Sequence, residues 1–439
     1  MDAGKLGNGR VHTTGAPAAS MAATAVAAAR RGEGKVALVA GATGLVGREL
    51  VRALLLPSSA WKLVYGVARR PPDDADDDGD NERYRFLACD MLDRGETMEM
   101  LSPLAEQVTH VFWVTWASQF PLDTQECCDQ NRAMLSNALD ALLLPVPSPA
   151  IAHLALQTGT MHYVSVKQAG GGGCHVYYEE ESPRVGEEVR NFYYALEDLV
   201  KDRLGGGSDG GGGGRRIARW SVHRPGLLLG SSQRSHFNLM GSLCVYASIC
   251  RHLGLPFYFH GLRRCWEEPY MDASDARLVS KQHLWWASVA SASSSSSPSS
   301  SSSLAAAAAE ADCQAFNAVN GTAFTWKEVW PALAAKFGLP LQADGGDELV
   351  SEETSYSRLM GDKGAAWEEI VAKESDLRPT RMDDLANWAF LDTVFRFPAK
   401  MLASSGKARR LGFTATYTTL ESLLYWVDRM REERLIPSY

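Results

Sequence analysis

Short apolar and β-branched runs alternate with stretches of helical periodicity through the first half of the chain. KVALVA, WKLVYGVA, RYRFLAC, THVFWVTW, IAHLALQTG and RWSVHRP read as buried strands, and LVGRELVRALL is typical of the amphipathic helices between them. Strands alternating with helices predict βαβ units and a parallel sheet, an α/β fold of the doubly wound kind. Past Pro225 the pattern becomes mainly helical, in FNLMGSLCVYASICRHL, TWKEVWPALAAKFG and TTLESLLYWVDRMREER. The expected organisation is a nucleotide-binding domain over residues 35–224 and a smaller, mainly helical substrate or lid region over residues 225–439. Four low-complexity segments interrupt this pattern: the acidic Pro71–Glu82, the glycine tracts Gly170–Gly173 and Gly205–Gly214, and a serine- and alanine-rich insertion near residues 288–310. They lack the apolar content to pack and read as exposed insertions. Residues 1–34, rich in alanine and glycine with Arg10, Arg30 and Arg31, read as a disordered leader or as a plastid-type transit peptide.

The first strand runs into GATGLVG, where Gly41, Gly44 and Gly47 lead into a helix. Glycine allows close backbone approach to a pyrophosphate, and the helix N-terminus offers free N–H groups and the positive end of a dipole. That context makes the sheet Rossmann-like. The second strand ends at Arg69 and Arg70 where NAD enzymes carry an acid for the ribose hydroxyls, and paired guanidiniums suit a 2′-phosphate instead. NADPH is the expected cofactor. Asp90, Thr115 with Trp116, and Gln157 stand at the ends of the third, fourth and fifth strands, where a cofactor would lie; strand-end turns explain each of them equally well.

Composition narrows the function classes. The chain of 439 residues is 45% hydrophobic, enough for a sizeable core, and its net charge of −8 argues against a phosphate-backbone binder. Nucleic acid is therefore not an expected partner. The apolar stretch LMGSLCVYASIC is too short to span a bilayer, so no membrane association is expected. The 8 cysteines show no CxxC and no zinc spacing, which points to reduced thiols, a cytoplasmic location and no metal.

The helix RNFYYALEDLVKDRL carries Tyr193 and Tyr194, with Glu197 and Asp198 where a short-chain dehydrogenase would place lysine four residues after its tyrosine. On the residues alone the two tyrosines are either catalytic or packing aromatics. The stretches VALVAGATGLVG, VYGVARRP, THVFWVTWAS, LQTGTMHYV, NFYYALED, WSVHRPG, NLMGSLCVYASIC and AFNAVNGTAFTWKEVW, in this order from Lys35 onward, resemble the plant progesterone 5β-reductase/iridoid synthase family. This is an atypical branch of the extended short-chain dehydrogenases.

The resemblance implies NADPH-dependent reduction of the carbon–carbon double bond of a small apolar enone or enal. It implies cofactor contacts at Thr43, Gly44, Leu45, Arg69, Arg70, Asp90, Met91, Thr115, Trp116, Gln157, Leu228, Ser235, His236 and Phe237, and a catalytic Tyr193 beside the nicotinamide. Met161, in TGTMHY, occupies the family's lysine position. Trp116, Phe237, Tyr246 and Phe390 are candidate pocket aromatics. The alternatives are an extended short-chain carbonyl reductase or epimerase, and an NADP-binding protein that has lost turnover with its lysine. A homodimer stays open, since no self-complementary face is legible.

Overall fold

The computed structural model describes residues 34–71, 81–146, 150–165, 177–186, 188–205, 219–292, 314–340, 350–378 and 380–439. Most of the leader, of the acidic segment and of the serine- and alanine-rich insertion, the first glycine tract, and all of the second but Gly205 lie outside the described residues.

Seven parallel strands form one sheet in the order β3-β2-β1-β4-β5-β6-β9. They are β1 (Lys35–Ala40), β2 (Trp61–Ala68), β3 (Tyr84–Ala88), β4 (His110–Trp113), β5 (His153–Gln157), β6 (Arg219–Arg224) and β9 (Gln314–Asn317). Alternate residues of the central strands feed two separate cores: Ala37, Val39, Phe112 and Ala155 face one way, and Leu38, Ala40, Val111, Trp113, Leu154 and Leu156 the other. Both faces are covered, which is why these strands are continuously apolar rather than alternating.

Helices α2 (Arg94–Leu101), α3 (Gln125–Leu143) and α4 (Phe192–Leu204) contribute to the second core, and α1 (Leu45–Leu55) to the first. The strand order reverses between β1 and β4, so a crevice opens at their C-terminal ends, the usual ligand position in such sheets.

The chain returns to the sheet after the change of pattern at Pro225. Strand β9 pairs with β6, and the helix α6 (Ala276–Ala292) packs on α1 and on β5 and β6. A two-stranded pair, β7 (Leu227–Leu229) with β8 (Ala273–Asp275), also lies in this half. The rest is helical, as the pattern predicts. In α5 (Leu239–Leu253) every residue from Leu239 to Cys250 is buried, so its all-round apolarity is that of a core helix. Asn238 caps its start and Gly254, at φ 65°, ends it in the left-handed conformation. Beyond it lie α7 (Trp326–Lys336), α8 (Trp388–Phe395) and α9 (Thr419–Glu432); α7 and α8 meet around Phe259, Trp266, Trp326, Trp330 and Phe395, and α9 packs on α7. No helix among the described residues is long and apolar enough to cross a membrane.

Candidate active site

The turn after β1 is shaped for a close backbone approach. Gly41 has φ 91°, and its N–H donates to the Val67 carbonyl at 2.8 Å. A Cβ on Gly47 would collide with the Gly41 carbonyl, so the helix can start this close to the strand only with glycine there. Helix α1 has no side-chain cap and no acid in its first turn. Its orphan N–H groups and dipole therefore face the crevice uncompensated, apart from Leu45 N–H, which donates to Ser235 Oγ at 3.3 Å. Ser232 Oγ donates to the Thr43 carbonyl at 2.8 Å. Thr43, Gly44, Leu45 and Ser235 are thus neighbours although 190 residues separate Leu45 from Ser235.

The other expected cofactor positions ring the same crevice. Arg69 and Arg70 are exposed at the end of β2, with no ion pair among the described residues. Asp90 accepts from Leu92 N–H at 3.1 Å in a tight turn, while the Met91 side chain is buried in the second core and its carbonyl accepts from Asn137 Nδ2 at 3.1 Å, which leaves only its backbone N–H for a ligand. Thr115 packs against Gly41. Gln157 ends β5 with its Oε1 buried and unpartnered, an orphaned acceptor that a bound ligand would satisfy. Leu228 lies in β7, packed on the first core, and the exposed His236 pairs with Asn387. An uncapped helix start, an orphaned amide and two free guanidiniums fit a dinucleotide.

Tyr193 sits in the first turn of α4, with its ring so close to Gly159 that a Cβ there would lie 2.8 Å from the hydroxyl. The hydroxyl has no hydrogen-bond partner among the described residues. Burial pushes the phenol well above its usual pKa, so it stays protonated. Tyr194 is committed elsewhere: its hydroxyl donates to the His162 carbonyl at 2.6 Å and accepts from Val185 N–H at 3.0 Å. Met161 shares a pocket with Tyr193, Leu122, Val164, Val189 and Phe192.

Asn191, which the sequence reading passed over, joins these parts. Its Oδ1 caps α4 at Tyr193 N–H (3.0 Å) and its Nδ2 donates to the Met161 carbonyl (2.9 Å). The signal was present, an asparagine directly before a helical run. Glu197 turns away from the pocket. It is buried against Arg224, with Nε to Oε1 at 3.1 Å and a second guanidinium nitrogen to Oε2 at 2.9 Å, and it accepts from Thr158 Oγ1 at 3.3 Å. Burial alone would raise the Glu197 carboxyl, but His162 and Arg224 hold it well below the usual carboxylate range.

Aromatic rings run from α8 in the helical region to the tyrosine. Phe390 meets Phe237 edge-on at 5.2 Å, Phe237 stacks on Trp116 at 4.9 Å, Trp116 stacks on Phe192 at 5.0 Å, and Phe192 touches Tyr193 at 4.5 Å. Tyr246 is not part of this row. It lies in the core of the helical region, its hydroxyl donating to the Tyr258 carbonyl at 3.0 Å, because α5 is buried on all sides. Among the described residues no group of three or more His, Cys, Asp or Glu could hold a metal ion.

Residues 37–162 match the family described as NAD dependent epimerase/dehydratase. The chain is 36% identical over 408 residues to an (S)-8-oxocitronellyl enol synthase of Nepeta racemosa, covering 92% of each protein. It is 34% identical over 406 residues to the 3-oxo-Delta(4,5)-steroid 5-beta-reductase of Arabidopsis thaliana, covering 92% of this chain and 93% of that one. Among solved structures, a putative epimerase from Burkholderia cenocepacia superimposes with a TM-score of 0.55 at 16% identity, over 91% of this chain and 98% of that one. A likeness at that identity supports the fold alone. Similarity to the two plant enzymes along nearly the whole chain is of another order, and by it the chain belongs to the progesterone 5β-reductase/iridoid synthase family, a branch of the extended short-chain dehydrogenases.

Proposed function

We propose that this protein reduces the carbon–carbon double bond of small activated enones or enals with NADPH. The observation that carries the reading is the Tyr193 hydroxyl: a protonated donor on a half-buried side chain, with no hydrogen-bond partner among the described residues, at the pocket shared with Met161. The cofactor, when bound, supplies a hydride to the β-carbon of the substrate. Negative charge then collects on the carbonyl oxygen, and Tyr193 stabilises it by donating a hydrogen bond. Water returns the proton to the α-carbon. Asn191 fixes the start of α4 and the Met161 turn relative to each other, and so fixes the donor.

This chemistry asks only for a neutral donor. Alcohol oxidation or epimerisation would ask Tyr193 to act as a base, and neither its raised pKa nor the carboxylate of Glu197 four residues on favours a phenolate. The preference for NADPH rests on Arg69 and Arg70, and a cytoplasmic location on the cysteines, six of which are described and all buried and unpaired.

Steady-state oxidation of NADPH and NADH with a panel of enones tests the reading. Tyr193→Phe should lower turnover by about two orders of magnitude, the usual effect of losing one oxyanion donor. Replacing Arg69 and Arg70 with alanine should weaken NADPH by roughly 1.5–3 kcal/mol per lost contact and leave NADH nearly as before. Full turnover in Tyr193→Phe, or equal use of both cofactors by the unaltered protein, would refute the corresponding half.

A further inference from the structure

The polar groups of the pocket next to Met161 can be accounted for one by one. Four polar or charged residues line it besides Tyr193: Asp123, Ser165, Arg190 and Asn191. Asn191 uses both ends of its amide, on Tyr193 N–H and on the Met161 carbonyl. Asp123 and Ser165 each have an interaction of their own. Arg190 alone forms no ion pair and no hydrogen bond among the described residues. Arg190 is exposed to solvent, so its guanidinium stands at the open edge of the pocket.

Two of its lining residues carry donors with no hydrogen-bond partner among the described residues, the Tyr193 hydroxyl and the guanidinium of the solvent-exposed Arg190, beside Leu122, Met161, Val164, Val189 and Phe192. A ligand complementary to this has an apolar body and an acceptor at each of two points. One point must be the carbonyl oxygen, since the phenol can donate only one hydrogen bond. The other faces a planar guanidinium, whose fork matches a carboxylate in two parallel hydrogen bonds.

We propose that Arg190 makes this pocket selective for enones or enals that also carry a carboxylate, the guanidinium holding the anion while the carbonyl sits at Tyr193. The inference rests on the enone-reductase reading and narrows its substrate class. The carboxylate takes no part in the redox step: the double bond gains a hydride and a proton, and NADPH becomes NADP⁺.

The probes are a straight-chain vinyl ketone ending in a carboxylate, its methyl ester, and the saturated keto acid and keto ester that reduction would yield. The acid should show a KM about tenfold below that of the ester at low ionic strength, as one partly solvated charge-assisted contact gives. The acid-to-ester ratio should approach one in Arg190→Gln, and added salt should erode it in the unaltered protein. Arg190→Lys should restore part of it. Equal kcat/KM for acid and ester in the unaltered protein, or a preference that survives in Arg190→Gln, would overturn the proposal. Titrating the saturated pair against the NADPH-bound protein by fluorescence separates the two levels of the argument. Tighter binding of the keto acid that is lost in Arg190→Gln, with no turnover of any enone, would sustain the anion site and overturn the reductase reading. Equal binding of the pair, with both enones reduced, would do the reverse.

Discussion

Tyr193 and Tyr194 are adjacent on one helix and have different fates, because the helix turns by about 100° per residue and presents them to different neighbours. Tyr194 is held by two backbone hydrogen bonds and Tyr193 by none, so only one of the two hydroxyls is available to a ligand. Tyr194→Phe should cost about 1 kcal/mol of stability, measured by denaturant unfolding, and little turnover. Met161 poses the sharper question. If enolate stabilisation needs only the neutral phenol, the natural protein should reduce small enones, and Met161→Lys should raise kcat only modestly. A methionine here also packs against the apolar core, so the pocket keeps its shape without the lysine. The rate should vary little between about pH 6 and 8, because burial raises the phenol above its ordinary value near 10. A protein that binds NADPH but turns over no enone until Met161→Lys is made would show the lysine to be indispensable.

The unit that holds Tyr193 in place spans three elements. Glu197 on α4 is bound to Arg224 at the end of β6, and Arg224 also donates to the Tyr163 hydroxyl at 3.0 Å and to the Glu180 carbonyl at 3.1 Å. The Tyr163 hydroxyl donates in turn to Asn317 Oδ1 on β9 at 2.7 Å. A charge pair buried this deeply is costly unless every remaining lone pair and proton is satisfied, and here the surrounding groups nearly complete it. Glu197→Leu should therefore destabilise the protein by about 3–5 kcal/mol, since it strands the Arg224 charge in the interior. Glu197→Leu combined with Arg224→Met should recover much of that loss. Thermal and urea unfolding of the two single variants and the double variant measure the coupling, and simple additivity would contradict the pair's role. At this scale the glutamate legible in the sequence only as an absent lysine becomes the anchor of the helix that carries Tyr193.

Across the whole molecule, one face of the sheet buries a chain of histidines from successive strands. His153 on β5 and His223 on β6 share Ser221 Oγ at 3.3 and 3.0 Å, His223 Nδ1 meets Gln282 Oε1 on α6 at 2.8 Å, and the His283 ring lies 4.0 Å from that of His223. Gln282 is oriented by its own donation to the Asn317 carbonyl, so its oxygen faces His223 and the proton there is on Nδ1. Burial lowers His223 to about 4 and, with the Lys35 charge nearby, lowers His110 on β4 to about 3. It also lowers His153 and His283, where neighbouring histidines add to the effect. These groups are neutral when folded and take up protons near 6.5 when unfolded, so their contribution is intact above that pH and declines as the pH falls toward their folded values. Stability should hold between about pH 7 and 8 and then fall by about 1.4 kcal/mol per pH unit for each histidine that must stay neutral. His283→Phe should reduce that slope by one proton; an unchanged slope in urea unfolding from about pH 6 to 5 would count against the chain as its source.

Much of the fold and part of the site follow from local pattern, because periodicity, glycine spacing and capping act within a few residues. The strands β1 to β6, the Gly41–Gly47 turn, the paired arginines after β2 and the helix bearing Tyr193 are all legible in this way. What the sequence left open depends on contacts between distant segments. The joining of β9 to β6 lies beyond the change of pattern at Pro225, and it is set by which strand edge the chain meets on its return. The difference between Tyr193 and Tyr194, and the burial of Tyr246 among its aromatic neighbours, are decided by what packs against each ring. Glu197 and Arg224 lie 27 residues apart, and the neighbours left to Arg190 are equally non-local. A side chain's type and spacing state what chemistry it can do; only the packing of the whole chain decides which of its bonds are already taken, and therefore which are left for a ligand.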